Sequence, residues 1–338
     1  MIYIISPDYM NLPAENYGGI ERVIVNLAHS LMNCSVAVKV LCTSLSNDSE
    51  VLESLLDSSS INEKTFSEFK YHSNEYAAKL ILYISENINE NDVVILNHIE
   101  QRFLLDDLKR KTNNIYEIVH YRNTAISNNL IFPSKLYKYM TLKSGVVIPH
   151  PCSTEEFYRM DDEIPIISEP YLLCVGRVCK NKRTHLAYEI AKKLDIKCVL
   201  AGPIHDEDYA KDFIHNCTYL GNVDSSKLRN LYSHATISAC LTNILPPETY
   251  GLFQVEALLC GSPVVSSCYG GLSDTKNKYG VIRYNDLRSI EGNVSNIKRF
   301  LGSFDEELRR KSISYTVSNF TSDPIAQKYL KHIYKKKS

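Results

Sequence analysis

Nowhere in the 338 residues does an apolar run approach the ~18–20 residues that cross a bilayer, so no transmembrane helix is expected. The opening "MIYIISPDYM" lacks a basic n-region, and its apolar stretch is too short for a signal peptide. It reads as a first β-strand. None of the ten cysteines (34, 42, 152, 174, 179, 198, 217, 240, 260, 268) forms a CxxC pair, and most lie in apolar strand or helix stretches. Paired zinc-ligand spacings are therefore missing, and reduced core cysteines of a cytoplasmic protein are expected. Neither a Walker lysine motif nor a GxGxxG fingerprint occurs, which argues against nucleoside-triphosphate hydrolysis and hydride transfer.

Net charge is only −1, but it is uneven. Residues 1–150 hold 13 Lys/Arg against 17 Asp/Glu, whereas residues 151–338 hold 25 against 22. Within 102–143, eight basic residues face three acidic ones, and bases mix with aromatics in "HYRNTAISNNLIFPSKLYKYMTLK". Such a stretch is either a solvated loop and helix face or a surface for an anionic acceptor.

Short β-branched runs alternate with amphipathic stretches, the pattern of parallel α/β sheets. Strands are expected at 1–6, 36–42, 92–97, 115–120 and 145–149, then at 171–176, 197–202, 217–221, 235–240, 263–267 and 280–284. Ile20, Val23, Ile24, Leu27, Ala28 and Leu31 recur at helical spacing, as do Ala77, Leu80, Ile81, Ile84 and Ile88. Helices are also expected over 184–194 and 224–235. "PHPCSTEEFYRMDDEIPIISEP" reads as the linker. The expected organisation is an α/β fold of two Rossmann-like domains, 1–150 and 151–312, facing a central cleft, with a closing helix in 313–338 that packs back on the first domain. Ligands of such sheets bind beyond the strand carboxyl ends.

"PPETYGLFQVEALLCGSPVV" (246–265) places Glu248 in a loop and Glu256 among Val255, Ala257, Leu258 and Leu259, where apolar residues are the norm. Pro246, Pro247 and Gly251 make helix unfavourable before about residue 252. An ionised carboxylate only accepts hydrogen bonds, and it suits a vicinal diol. Two such carboxylates fit the two hydroxyl-bearing ends of a nucleotide sugar. The diphosphate between them needs cations and free N–H groups. The helix opening at Gly251–Leu252 supplies the latter. "VGRVCKNK" (175–182) supplies Arg177 and Lys182 beyond a buried strand, although each taken alone also reads as an ordinary surface cation.

Taken together, these segments resemble family 4 glycosyltransferases of GT-B fold. "ETYGLFQVE" (248–256) resembles the family's E-x7-E motif. Gly176, Arg177 and Lys182 resemble its Gly-Arg-x4-Lys motif. "NYGGIERV" (16–23) resembles its glycine-rich loop, and "VIPHPCSTEEF" (147–157) its domain junction, with His150-Pro151 in place of the usual Asn-Gly. The resemblance implies a retaining, metal-independent transfer of a hexose or pentose from a nucleotide-diphosphate sugar, by family frequency a UDP-sugar. No other cofactor is implied. Glu256 would hold the donor ribose. Glu248 would lie by the donor sugar, with Tyr250, Gly251 and Leu252 beside it. Arg177 and Lys182 would bind the diphosphate. Gly18 and Gly19 would admit phosphate or acceptor to the backbone; otherwise they form a left-handed turn. His120, ending "EIVH", would face the donor sugar. His120, Arg177, Lys182 and Glu248 are thus the catalytic candidates.

The acceptor stays open. A glycan or lipid-linked glycan, reached by peripheral contact with a membrane, is one class. A Trp-free chain rich in Asn, Ser, Tyr and Lys suits an AT-rich, viral-type genome, which keeps a modified DNA base as another. A GT-B epimerase or phosphorylase and a non-catalytic nucleotide-sugar binder are the alternatives. "HDED" (205–208) offers a DxD-like pattern for a divalent ion, but it follows "AGP" in a loop and a solvated acidic turn is the expected reading.

Overall fold

The computed structural model describes residues 1–6, 11–12, 18–44, 52–57, 74–97, 103–120 and 127–335. The chain divides into two compact units, one of residues 1–151 with 322–338 and one of residues 152–321.

The first unit runs β1 (Ile2–Ile5), β2 (Asn11–Leu12), α1 (Gly19–Asn33), β3 (Val38–Ser44), β4 (Leu52–Asp57), α2 (Asn74–Asn87), β5 (Val93–Leu96), α3 (Leu105–Lys111), β6 (Ile115–Ile118), β7 (Leu130–Phe132), α4 (Lys135–Thr141) and β8 (Val146–Val147). Among the described residues these strands form one eight-stranded sheet in the order β2-β3-β1-β5-β6-β7-β8, with β4 paired to β3. Every pairing is parallel, with Ile4 opposite Val40 on one side and Ile95 on the other. Side chains alternate across a strand, and β1 is buried on both faces. Ile2 and Ile4 pack with Ile24, Leu27 and Leu31 of α1. Tyr3 and Ile5 pack with Leu80 and Ile84 of α2 and Leu108 of α3.

The second unit runs β9 (Tyr171–Val175), α5 (Thr184–Leu194), β10 (Lys197–Ala201), α6 (Glu207–Ala210), β11 (Thr218–Tyr219), α7 (Ser225–His234), β12 (Ile237–Cys240), α8 (Leu252–Leu259), β13 (Val264–Ser266), β14 (Val281–Arg283), α9 (Ile290–Ser303) and α10 (Glu306–Phe320). Its sheet is parallel, in the order β11-β10-β9-β12-β13-β14. Leu173, Val199 and Val264 face α7 and α8. Leu172, Leu200 and Val265 face α5 and α9. From β9 the chain adds strands outward through β10 to β11, then returns and adds β12, β13 and β14 on the other side. The order therefore reverses between β9 and β12. The loops that leave these two strands flank that crevice, where open α/β sheets bind ligands.

The last helix, α11 (Ser322–Tyr334), belongs to the first unit and lies against α1. Ile325, Ala326, Tyr329 and Ile333 are buried in the α1 side of its core. The boundary drawn from sequence at 312/313 differs from the one observed at 321/322. Residues 313–320 continue α10, which packs on α8 in the second unit. Only Thr321 separates α10 from α11, so no loop composition marks the change.

Candidate donor-binding site

Seven of the residues singled out from sequence lie in the second unit, on the loops at its strand reversal and on the start of α8. Gly176, at φ 127, turns the chain off β9. Arg177 follows, half-buried, and its guanidinium has no hydrogen bond or ion pair among the described residues. Lys182 ends a short 3-10 turn, Lys180–Lys182, before α5. Its ammonium lies 2.5 Å from Glu248 Oε2 and 4.6 Å from the centre of the Phe253 ring. Both members of the pair are mostly enclosed, at 12% and 17% side-chain exposure. Lys182 is therefore not a bare cation awaiting an anion, and its charge is balanced within the site.

Glu248 lies in the loop between β12 and α8, and Gly251 caps α8 with a left-handed backbone, φ 89 and ψ 62. The helix starts at Leu252, as the prolines and Gly251 dictate. A Cβ on Gly251 would sit 2.4 Å from Leu272 Cδ2, which would have to move, and the positive φ strains any residue other than glycine there. The Leu252 and Phe253 N–H groups have no acceptor among the described residues, leaving two donors and the positive end of the helix dipole at this point. Tyr250 beside them is buried.

Glu256 is the fifth residue of α8 and only 5% exposed. Tyr232 Oη on α7 donates to its Oε2 at 3.4 Å and is one of the partners of this buried carboxylate. Cys174 and Cys240, on β9 and β12, are free thiols. Burial pushes Cys174 up to about 12 and Cys240 upward too, so both stay protonated. All ten cysteines are free.

Sequence reasoning missed a third loop, the 3-10 turn Gly270–Ser273 after β13. Gly271 N–H donates to Glu248 O at 2.7 Å. A Cβ on Gly270 would lie 2.2 Å from Glu248 O, and one on Gly271 would lie 2.3 Å from Tyr250 Cα. Gln254 Nε2 binds Leu272 O and Thr275 Oγ1, which ties the same turn to α8. The signal was present as "YGG" directly after a strand, the placement that drew attention to "NYGG" in the first half.

The other three candidates belong to the first unit. Gly18 precedes α1 with extended backbone, φ −175, so it is not the left-handed turn that was the plain alternative. Gly19 is exposed, and a Cβ there would meet nothing within 4 Å. His120, two residues past β6, is buried and stacks on His150 with ring centres 5.2 Å apart. Tyr137 Oη donates to the His120 carbonyl at 3.0 Å. Of the basic-aromatic stretch 120–143, residues 121–126 lie outside the described residues. In "HDED", Asp206 caps α6 by accepting from Tyr209 N–H and lies 3.9 Å from Lys180. Among the described residues, no group of three or more His, Cys, Asp or Glu is placed to hold a metal. No described helix is long and apolar enough to cross a membrane.

The second unit thus offers a lysine paired with a carboxylate, a buried carboxylate, and a guanidinium and two N–H groups without partners among the described residues, on the elements that follow one strand reversal. Cations and N–H groups suit phosphate oxygens, and carboxylates suit hydroxyls.

Comparison with known proteins bears on the fold and on the second unit. Residues 161–301 match the family model described as Glycosyl transferases group 1. Over 118 residues the chain is 30% identical to an uncharacterized glycosyltransferase of Methanocaldococcus jannaschii, a stretch covering 31% of this chain and 29% of that protein. The match thus spans under a third of that relative's length. Among solved structures, sucrose-phosphate synthase from Thermosynechococcus elongatus has a TM-score of 0.76 at 16% identity, covering 99% of this chain and 98% of its own. Anabaena HepE, solved in complex with UDP and glucose, has a TM-score of 0.70 at 14% identity, covering 97% of each chain. A glycosyltransferase involved in avilamycin A biosynthesis has a TM-score of 0.70 at 16% identity, covering 99% of this chain and 97% of its own. The chain therefore has the GT-B fold of glycosyltransferases, and its second unit carries, over residues 161–301, the sequence pattern of the group 1 glycosyl transferases.

Proposed function

We propose that the protein is a glycosyltransferase that moves a hexose or pentose from a UDP-sugar to a hydroxyl of a glycan or lipid-linked glycan, with retention at the anomeric carbon. The observation that carries this reading is the enclosed Lys182–Glu248 pair at the strand reversal of the unit that matches the group 1 family, with Arg177, whose guanidinium has no partner among the described residues, on the same loop as Lys182. A cation held half-buried without a partner is complementary to an anion that arrives from solution.

In this reading Arg177, Lys182 and the Leu252 and Phe253 N–H groups take the diphosphate. Glu248 exchanges its contact with Lys182 for hydroxyls of the donor sugar, which frees the ammonium for phosphate. Glu256 accepts from the ribose hydroxyls. The barrier is rupture of the bond between the anomeric carbon and the phosphate oxygen, with positive charge growing on the sugar and negative charge on the departing diphosphate. Fixed cations and N–H dipoles stabilise that charge more in the transition state than in the ground state. His120 is assigned to the donor sugar. The reading gives no metal a part in the step, and it places the protein in the cytoplasm with peripheral access to membrane-borne acceptors.

A thermal-shift screen with UDP-, GDP- and ADP-sugars tests the donor, since a ligand that binds the folded state raises the melting temperature. A shift with a UDP-sugar is expected, together with UDP release that persists in EDTA. A shift confined to another base, or rates abolished by EDTA and restored by a divalent ion, would overturn those parts of the reading.

A further inference from the structure

Arg183 has a left-handed backbone, φ 49 and ψ 40, at the start of α5. Residues bearing a Cβ enter that region against a steric penalty, and they persist there when their surroundings hold them. Here the hold is a fork-to-fork pair. Arg183 Nη1 and Nη2 donate to Asp286 Oδ2 and Oδ1 at 3.0 and 2.5 Å. The guanidinium also lies over the Tyr284 ring, at 5.6 Å. Asp286 Oδ2 accepts a further bond, from Tyr269 Oη at 2.6 Å. Its carboxyl is held below the usual range by Arg183, against the opposing effect of partial burial.

What the pair joins gives it meaning. Arg183 directly follows Lys182. Tyr269 directly precedes the Gly270–Gly271 turn, whose Gly271 N–H is bonded to Glu248 O. One carboxylate thus connects the loop that carries Lys182 to the turn on which Glu248 rests. A bidentate guanidinium–carboxylate contact fixes direction as well as distance, so it suits this task better than a lone ammonium would.

We propose that Asp286 is a positioning residue for the donor site, holding the Lys182 loop and the Gly270–Gly271 turn at one mutual spacing through Arg183 and Tyr269. It rests on the reading of these loops as the place where donor diphosphate binds. Asp286 touches no substrate in this account. Its effect is exerted through the two neighbours.

Hydrogen exchange and calorimetry with UDP test it on three variants, Asp286→Asn, Arg183→Gly and Tyr269→Phe. Arg183→Gly is the discriminating one, because glycine adopts φ 49 freely, so relief of backbone strain offsets part of the lost pairing and the variant should stay folded. In Asp286→Asn and Arg183→Gly, the amides of Lys182 and Gly271 should exchange ~10-fold faster while those of Val199 and Leu200 in β10 stay unchanged. UDP affinity should fall ~10-fold, as expected for a cation and a support displaced by a fraction of an ångström. Tyr269→Phe should loosen Gly271 alone. Parental exchange at Lys182 or Gly271 in Arg183→Gly, or parental UDP affinity, overturns the proposal. A parent protein that does not bind UDP removes the donor assignment instead, and the exchange data still decide whether Asp286 couples the loops.

Discussion

Lys182 Nζ and Glu248 Oε2 lie 2.5 Å apart, and each neutralises the other in a setting that excludes most water. In the proposed reading the donor inserts into this pair rather than filling a vacancy. Lys182→Ala should lower turnover of UDP-glucose by ~10²–10³, the loss typical for a single donor to a developing anion. Glu248→Gln should leave UDP affinity nearly parental and weaken discrimination among donor sugars, because the proposed role of the altered group is toward the sugar. Steady-state UDP release and competition between UDP-sugars measure both. Full activity in Lys182→Ala would dismiss the phosphate role.

Glu256 gives a second expectation. It is buried in an apolar helix with Tyr232 Oη as a partner. Glu256→Ala should raise the UDP dissociation constant by ~10-fold or more, since a desolvated diol would lose its acceptor. Tyr232→Phe should have a smaller effect in the same direction, by releasing the carboxylate from its orientation. Calorimetry with UDP checks the order of the three proteins.

The glycines divide into two classes that thermal denaturation should separate. A Cβ on Gly271 would collide with Tyr250 backbone, whereas one on Gly19 would meet open space. Gly271→Ala should destabilise the protein by ~1–3 kcal/mol and impair UDP binding, as overpacking against backbone does. Gly19→Ala should change the melting temperature little. Any loss of turnover in that variant would then report ligand approach rather than folding.

His150 predicts a pH dependence. Burial alone pushes its pKa down to about 3, so the folded chain keeps the ring neutral through ordinary acid conditions. The unfolded chain binds the proton near pH ~6.5. Between those values the unfolded state holds more protons, so stability is complete above ~6.5 and declines as pH falls toward 3. His150→Phe keeps an aromatic ring against His120 and removes this contribution. Urea titrations at pH 7 and pH 5 should show a smaller acid loss for the variant. Equal losses would contradict the assignment.

Much of this was legible in the residues, and what was not has physical reasons. "YLLCVG" and "KCVLAG" became β9 and β10, and the helix read over 184–194 is α5. Both strands are short, nearly continuous apolar runs, the mark of strands buried on both faces, which makes them conspicuous. The start of α8 followed from two prolines and Gly251. By contrast, β4 is "LESLLD", whose leucines and glutamate favour helix in isolation, and its pairing with β3 decides the outcome. β7 has only three residues, too few to show a period. Within the candidate site, the motif residues could be named from sequence, but their partners could not. Arg183 and Asp286 are 103 positions apart, and Lys182 and Glu248 are 66 apart. No local pattern reports such pairs, because the sheet order alone brings them together.

The helix α11 supplies Ile325, Tyr329 and Ile333 to a core otherwise assembled from the amino-terminal half. During synthesis that core stays incomplete while residues 152–321 emerge from the ribosome, and it can be sealed only after translation has passed Tyr334. The second unit, contiguous in sequence, is therefore free to mature first on the nascent chain. A stop codon just after Thr321 would spare it while leaving the other half with an open, aggregation-prone flank beside α1.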